Sequence, residues 1–139
     1  MINQIRSEDH ANVEALRKLY ADLSTIGEYV DDDAVLHPAA RREDGEVVVG
    51  KQAIIDHELN LIQVTENTLH MDVQHIIAND YFGAVAGILR AHLHGDELGM
   101  PFCGLWRFRD GKIIEHWENA YDVAIFARFV GGEAVPAFG

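Results

Sequence analysis

The sequence predicts an α+β domain, a cone in which N-terminal helices pack on a strongly curved antiparallel or mixed sheet and enclose a pocket. Two stretches near the N-terminus repeat apolar residues at helical spacing, and from residue 69 onward apolar and polar residues alternate. Helices followed by a meander of long strands are typical of the α+β class. The helices can bury their apolar stripes only on the concave face of the sheet, so a pocket is expected between the two layers.

Two helices are predicted ahead of the sheet. Ser7 suits the N-cap position, and apolar residues at helical spacing predict a first helix over residues 8–24. Gly50 precedes a second helix over about residues 51–64. The apolar stripe of this second helix contains His57 and Glu58. On a pocket-lining helix His57 points inward, whereas in other settings a histidine in such a stripe is a satisfied core group.

The strands are delimited by turn residues. Pro38 ends a short strand, Ala34–His37, and the acid run before it, Asp31–Asp33, is interpreted as a solvated turn. A long strand is predicted from Tyr81 to His94. Asp110-Gly111 is a strong hairpin signal and joins the last two strands.

The chain of 139 residues is long enough for one domain with a core, so residues 1–139 are taken as a single domain. A short terminal helix is expected over Val123–Val130, followed by a loose tail over residues 131–139.

The charge balance excludes several classes of partner. The chain has 11 basic and 23 acidic residues, a net charge of −12 with histidine neutral, which argues against nucleic acid and against an anionic membrane surface. The single cysteine, Cys103, excludes an internal disulfide and is compatible with a reducing compartment. No apolar run approaches the length of a membrane span. These features predict a soluble, cytoplasmic protein.

Within the last two strands, alternate residues share a face. The first arm places on one face Phe102, Gly104, Trp106 and Phe108. The second arm places on one face Ile114, His116, Glu118, Ala120 and Asp122. A face that carries histidine and acids beside aromatic rings is unusual for a plain core, and it is interpreted as the floor of the pocket.

The long strand is expected to add Arg90 and His92 to the same floor. Its other side then carries Leu89 and Leu93 on the outer face of the sheet, together with Leu105 and Trp117 of the hairpin. That outer face is partly uncovered, which predicts a homodimer formed through the sheet.

The hairpin WRFRDGKIIEHWENAYD, residues 106–122, resembles the terminal hairpin of the nuclear-transport-factor-2-like superfamily. Within it, the chain is most similar to SnoaL-like polyketide cyclases, limonene epoxide hydrolases and ketosteroid isomerases. The resemblance covers nearly the whole chain and includes the leading helix, the stretch YVDDDAVLHP and the glycine-started helix GKQAII. It implies the same cone-shaped fold.

The resemblance also implies site residues. His37, before Pro38, matches the catalytic aspartate of ketosteroid isomerases. Arg90-Ala91-His92 resembles the Arg-x-Asp element of limonene epoxide hydrolases, and Glu118 matches the second aspartate of that family. Gly104 falls where the isomerases carry an acid donor, and the first helix has no tyrosine at the position that matches their tyrosine donor. A further acid, Asp122, resembles a position common at this strand end in SnoaL-like sequences.

These residues predict cofactor-independent acid–base chemistry on a small hydrophobic metabolite, of a lyase, isomerase, cyclase or hydrolase type, with neither a cofactor nor a metal. In this hypothesis His37 and His92 exchange protons, Glu118 assists, and Arg90 stabilises negative charge. The residues expected to contact the substrate are His57, Phe102, Trp106, Phe108, His116 and Asp122.

Several alternatives stay open at this point. His116 and Glu118 are equally compatible with a structural network with an arginine, and Asp122 with a cap of the terminal helix. A rival function is a metal site at His92-x-His94, which needs a third ligand. The other rival is a non-catalytic module that binds a small apolar ligand.

Overall fold

The computed structural model describes residues 10–41, 45–133 and 135, and in it helices precede a six-stranded sheet. The helices are α1 (Ala11–Ala21), a 3₁₀ helix (Leu23–Glu28), α2 (Lys51–Val64) and α3 (Val123–Val130). The strands are β1 (Val30–His37), β2 (Val48–Val49), β3 (His70–Ala78), β4 (Phe82–Leu93), β5 (Asp96–Arg109) and β6 (Lys112–Ala120).

The sheet is mixed and open. Its strand order is β2-β1-β6-β5-β4-β3, in which β1 runs parallel to β6 and all other neighbours are antiparallel. Helices followed by a mixed sheet of this kind confirm the predicted α+β cone. None of the helices in the described part of the chain is long and apolar enough to span a membrane.

The core lies between the helices and the inner face of the sheet. Helix α1 buries Leu16 and Leu19, helix α2 buries Ile54, and the strands contribute Val85 and Met100 from facing positions. Helix α2 begins after Gly50 and α3 spans Val123–Val130, as predicted.

The start of the first helix differs from the prediction. Ser7 and the predicted helix start at residue 8 lie outside the described residues. Within them α1 follows His10, whose Nδ1 atom accepts the backbone N–H of Asn12 at 3.0 Å and so caps the first turn. Of the predicted tail, residues 134 and 136–139 also lie outside the described residues.

The predicted hairpin turn is confirmed. Asp110 and Gly111 have φ angles of 51° and 78°, so both central residues adopt the left-handed conformation that a type I′ turn requires. This conformation matches the twist of the flanking strands β5 and β6.

The interpretation of the acid run as a solvated turn is wrong. Asp31–Asp33 lies inside β1, which begins at Val30. The acids are tolerated there because cations are close: Asp32 lies 3.2 Å from Lys51 and Asp31 lies 3.9 Å from Arg109. Val30 and Val35, on either side of the acids, pair with β6, and this pairing between distant parts of the chain overrides the turn preference of aspartate.

The predicted faces of β4 are reversed in the structure. Leu89 and Leu93 are buried in the core, whereas Arg90 and His92 are exposed on the outer face. Alternation along a strand shows which residues share a face, but the pairing with the neighbouring strand decides which face is inside. Here Leu89 lies opposite the buried Met100 of β5.

A β-bulge changes the phase of β6. Arg107 pairs with Glu115 and Phe108 pairs with Ile113, so Ile114 is an extra residue on β6. As a result both Ile113 and His116 are buried, although they are three positions apart. Ile113 and His116 are thus both turned to the inner face, whereas simple alternation grouped Ile114 with His116.

Candidate active site

A cavity of about 250 Å³ lies between the helices and the inner face of β5 and β6. Its walls are mainly apolar and include Leu23, Leu61, Met71, Leu89, Phe102 and Phe126. Its polar groups come from α1, α2 and β6. They are Tyr20, His57, Glu58, His116, Glu118 and Asn119. An apolar wall with a few convergent polar groups is the usual form of a small-molecule site.

A histidine–glutamate pair lines this cavity. His57 Nε2 on α2 is 2.6 Å from Glu118 Oε1 on β6. The hydrogen bond to Glu118 raises the pKa of His57, while partial burial works against that rise. The pair therefore holds a proton between an imidazole and a carboxylate inside the cavity.

Glu58 places a second carboxyl group beside this pair. Only 3% of Glu58 is exposed, because it lies on the same stripe of α2 as the buried Ile54. Burial, and then the charge of Glu118, raise the pKa of Glu58 well above its ordinary value. Among the described residues no hydrogen bond reaches the Glu58 carboxyl, which is therefore an unpaired acid in the cavity wall.

The donor atoms of His57, Glu58 and Glu118 all lie within 4.8 Å of one another. They are close enough to contact one small cation or one reacting atom of a ligand. The predicted rival site at His92-x-His94 has no such third donor among the described residues.

Tyr20 brings a hydroxyl group from α1 to the floor of the cavity. Trp106 Nε1 donates a hydrogen bond to the Tyr20 oxygen over 3.2 Å, which leaves the O–H of Tyr20 free to donate elsewhere. Burial raises the pKa of Tyr20, so this hydroxyl keeps its proton. A Cβ atom at Gly104 would lie only 2.2 Å from the Tyr20 oxygen, so the glycine makes room for it.

His116 contributes a neutral imidazole. Its Nδ1 donates to the backbone carbonyl of Leu105 over 2.9 Å, and its ring stacks on Trp106 with centroids 3.4 Å apart. Burial lowers the pKa of His116 to about 4. The ring is therefore uncharged near neutral pH, and Nε2 is its acceptor atom.

Five of the residues predicted for the site line this cavity. They are His57, Phe102, Trp106, His116 and Glu118. The side chain of Glu118 is hydrogen-bonded to His57, and that of His116 is bonded to the Leu105 carbonyl and stacked on Trp106. The alternative, a structural network of His116 and Glu118 with an arginine, therefore does not describe their side-chain contacts.

The predicted convergence of the other catalytic residues is wrong. His37 lies on the outer face, where its Nε2 is 2.6 Å from Glu115 Oε2 and its ring stacks on Trp117. Arg90 forms an exposed ion pair with Asp72 at 3.1 Å, and His92 is exposed. For Arg90 and His92 the error is the reversed phase of β4. His37 follows the buried Leu36 on β1 and therefore points to the opposite face.

Two predicted substrate contacts also lie elsewhere. Phe108 is buried in the core beside Gly83 rather than in the cavity wall. The carboxylate of Asp122 accepts the backbone N–H groups of Ala124 and Ile125 at 3.0 and 3.2 Å. Asp122 is therefore the N-cap of α3, which was its alternative role.

Tyr20 and Glu58 were not predicted as site residues. The signal for Glu58 was available, because an acid within the apolar stripe of a helix is costly to bury unless it has a function or a partner. Tyr20 lies in the apolar stripe of the first helix, where an aromatic residue is ordinary core, and the first-helix tyrosine donor of ketosteroid isomerases was the one signal that could have pointed to it.

Residues 11–116 match the family described as SnoaL-like domain. Among solved structures, the chain is similar to Bal32a from a soil-derived mobile gene cassette, with 24% identity, 85% of this chain and 95% of that chain covered, and a TM-score of 0.72. It is also similar to a proposed SnoaL-like polyketide cyclase from Jannaschia, with 17% identity, coverage of 90% and 96%, and a TM-score of 0.72.

A third similar structure is IdmH from Streptomyces antibioticus, a proposed polyketide cyclase. The identity is 22%, the coverage is 86% of this chain and 99% of that chain, and the TM-score is 0.67. These structural likenesses support the fold. No curated protein sequence matches the chain. With the family match extending over most of its length, the chain belongs to the SnoaL-like domain family.

Proposed function

We propose that this protein is an enzyme that moves protons on a small, mainly apolar metabolite, as an isomerase, cyclase, lyase or hydrolase. One observation carries the proposal: the His57–Glu118 pair and the buried carboxyl of Glu58 meet in an otherwise apolar cavity. Two carboxyl groups in unlike environments are a common way to provide an acid and a base at the same pH.

Glu118 is the proposed base. The hydrogen bond from His57 fixes the position of its carboxylate, so that a substrate proton can be taken without reorganisation of the side chain. His57 stays hydrogen-bonded to Glu118 before and after Glu118 takes the substrate proton, since the two side chains can share a proton. In this role His57 is a positioning residue.

Glu58 and Tyr20 are the proposed donors. The raised pKa of Glu58 keeps a proton on this carboxyl to a higher pH than in free glutamate. The Tyr20 hydroxyl accepts from Trp106 and so directs its own O–H away from the indole. Both groups are suited to donate to an oxygen on which negative charge develops.

The proposed chemical step is enolisation. Glu118 takes a proton from a carbon next to a carbonyl group, the C–H electron pair forms a C=C bond, and the carbonyl oxygen receives a hydrogen bond or the proton of Glu58. Return of a proton to another carbon completes an isomerisation. Attack of the enol carbon on a second carbonyl of the same molecule completes a ring closure. The similar structures described as proposed polyketide cyclases support the ring closure.

Solvent deuterium exchange tests the proposal without knowledge of the natural substrate. The protein is mixed with small cyclic ketones and β-dicarbonyl compounds in D₂O, and exchange next to the carbonyl is followed by NMR. We expect exchange to be accelerated, and Glu118→Gln to reduce it by about 10²-fold or more.

The outer face offers a matched control. His37 and Glu115 form a second histidine–glutamate pair at the same 2.6 Å distance, but outside the cavity. Glu115→Gln and His37→Ala are expected to leave exchange unchanged. Equal exchange in wild type and Glu118→Gln would contradict the proposal, and ligand binding without exchange would favour the non-catalytic binding module.

We also propose that two copies associate through the outer face of the sheet. A groove of about 550 Å³ on that face is lined by Phe82, Leu105, Arg107 and Trp117, among others. Ile77, Phe82 and Leu105 are 63%, 60% and 43% exposed. Exposed apolar residues clustered on one face of a sheet support a self-association surface.

A further inference from the structure

The charge of the cavity lining is one-sided. The described residues that line it include two glutamates and no lysine or arginine. Arg41 approaches the rim, but it donates to the backbone carbonyl of Glu118 and the side chain of Asn119 rather than to the Glu118 carboxylate. An anionic ligand therefore finds no lysine or arginine in this cavity, and His57, whose pKa is raised by its hydrogen bond to Glu118, is already paired with that carboxylate.

Glu58 is the part of the lining that most needs a partner. It is nearly completely buried, and no hydrogen bond to its carboxyl is found among the described residues; since none of their fully buried side-chain polar atoms lacks a partner, the Glu58 carboxyl opens onto the cavity. A buried carboxyl without a partner is stable only while it keeps its proton, or when a cation pairs with it. The cavity therefore favours a ligand that supplies positive charge at this position.

The spacing of the donor atoms fits an ammonium nitrogen. The atoms of His57, Glu58 and Glu118 lie within 4.8 Å of one another. Some point between them is then at most about 2.8 Å from all three atoms, which is the length of a charge-assisted N–H···O bond. Two N–H donors of a primary ammonium group can then reach the Glu58 and Glu118 oxygens, while His57 Nε2 keeps its own hydrogen bond to Glu118.

We propose that this cavity binds small primary amines as ammonium ions, with the nitrogen between Glu58, Glu118 and His57 and the carbon body against the apolar wall. The inference concerns binding and goes beyond the proposed function, because it holds whether or not the site turns a substrate over. The net charge of −12 adds a long-range attraction for cations.

Binding exchanges one cation for another. The ammonium ion enters, the Glu58 carboxyl becomes a carboxylate, and its proton leaves to the buffer, so charge and atoms balance. The other titratable groups that line the cavity with Glu58 are Tyr20 from α1, His57 from α2, Cys103 from β5, and His116 and Glu118 from β6. Glu118 is the charged group of these that favours the incoming cation.

Calorimetry with three ligands of one shape tests the inference. Benzylamine, benzyl alcohol and benzoate are titrated at neutral pH into protein freed of metal by a chelator, in two buffers with different ionisation heats. We expect benzylamine to bind at least about tenfold tighter than benzyl alcohol, benzoate to show no binding, and the two buffers to reveal proton release with the amine. Benzyl alcohol binding as tightly as the amine, or amine binding without proton release, overturns the inference.

Variants separate this result from a failure of the proposed function. Glu58→Gln is expected to weaken benzylamine at least about tenfold and to abolish the proton release, while Glu115→Gln changes neither. If Glu58→Gln does not fold, Glu118→Gln is the substitute: it removes the other carboxyl oxygen and is expected to weaken benzylamine at least about tenfold, while Glu58 still releases its proton. Amine binding without deuterium exchange contradicts only the enzyme, whereas exchange with no preference for the amine contradicts only this inference.

Discussion

Trp106 donates its indole N–H to the hydroxyl oxygen of Tyr20, and the two rings meet edge to face with centroids 5.8 Å apart. The pair joins the first helix to the fifth strand at the floor of the cavity. The Tyr20 hydroxyl lies in the space where a side chain at residue 104 would begin. Glycine usually destabilises the middle of a strand, but Gly104 is required here because the Tyr20 hydroxyl occupies the space of a Cβ atom.

Gly104→Ala is expected to destabilise the protein by about 1–3 kcal/mol. The new methyl group would lie 2.2 Å from the Tyr20 oxygen, so the ring must move and its hydrogen bond with Trp106 is lost. Urea denaturation measures the change. In the double variant Gly104→Ala/Tyr20→Phe the hydroxyl is absent, so the cost of the alanine should be smaller than in wild type. Strictly additive costs would show that the hydroxyl is not the obstacle.

Glu58→Gln is expected to change how stability depends on pH. Because folding raises the pKa of Glu58, the contribution of this carboxyl is complete below the ordinary glutamate pKa and is lost as pH rises through the raised value. Wild type should therefore lose stability relative to Glu58→Gln, by more than about 1 kcal/mol between about pH 4 and pH 8. Urea midpoints of both proteins across this range provide the measurement.

Glu115→Gln is the control, because its carboxyl shifts the other way. Burial alone would raise the pKa of Glu115, but hydrogen bonds from His37 and Arg107 lower it. Its contribution is present above the ordinary pKa and is lost as pH falls through the lowered value. The difference between wild type and Glu115→Gln should shrink toward acid, opposite to Glu58→Gln, and parallel trends would refute both assignments.

His116 is expected to stay neutral down to about pH 4. Its ring carbon shift in ¹H–¹³C NMR spectra should be constant across neutral pH and change only near that value, with the proton on Nδ1. In the urea-unfolded chain the same ring should titrate at about 6.5. Stability should accordingly fall as pH drops from about 6.5 to about 4, because only the unfolded chain gains this proton there. Titration of the folded ring near 6.5 would falsify the burial argument.

Phe82→Glu and Leu105→Glu are expected to produce monomers. Each places a charge in the exposed apolar groove of the outer face, where a second copy would bury it. Sedimentation equilibrium should give twice the chain mass of 15.5 kDa for wild type and the single mass for both variants. Val49→Glu is the control, since Val49 is exposed at 61% on β2 and does not line the groove. A monomeric wild type would remove the dimer proposal.

Local sequence signals predicted most of the fold. The Asp110-Gly111 turn, the glycine before α2 and the helix over Val123–Val130 depend on neighbouring residues, so they could be placed from the sequence alone. The acid run Asp31–Asp33 could not, because its strand is formed by pairing with segments far away in the chain.

The site was predictable only where the strand phase was correct. His116 and Glu118 were placed in the pocket, and His57 was placed at its wall, because their faces follow from short-range alternation or helical spacing. Arg90 and His92 were placed on the wrong face, since alternation leaves two choices and only the pairing of β4 with β5 selects between them. Glu58 was visible in the helical stripe, but its role depends on the approach of Glu118 from β6.

The extra residue in β6 has a consequence for how this chain tolerates change. The extra residue Ile114 shifts the inward and outward alternation of the residues that follow it in β6. The strand can therefore turn Ile113 to the core and still turn His116 and Glu118 to the cavity. Loss of that single residue would exchange the two faces of the following segment, turning Glu118 outward and Trp117 inward. The cavity chemistry thus depends on the number of residues in β6 as well as on their identity. An insertion or deletion of one residue between the Asp110-Gly111 turn and His116 is expected to disrupt the site.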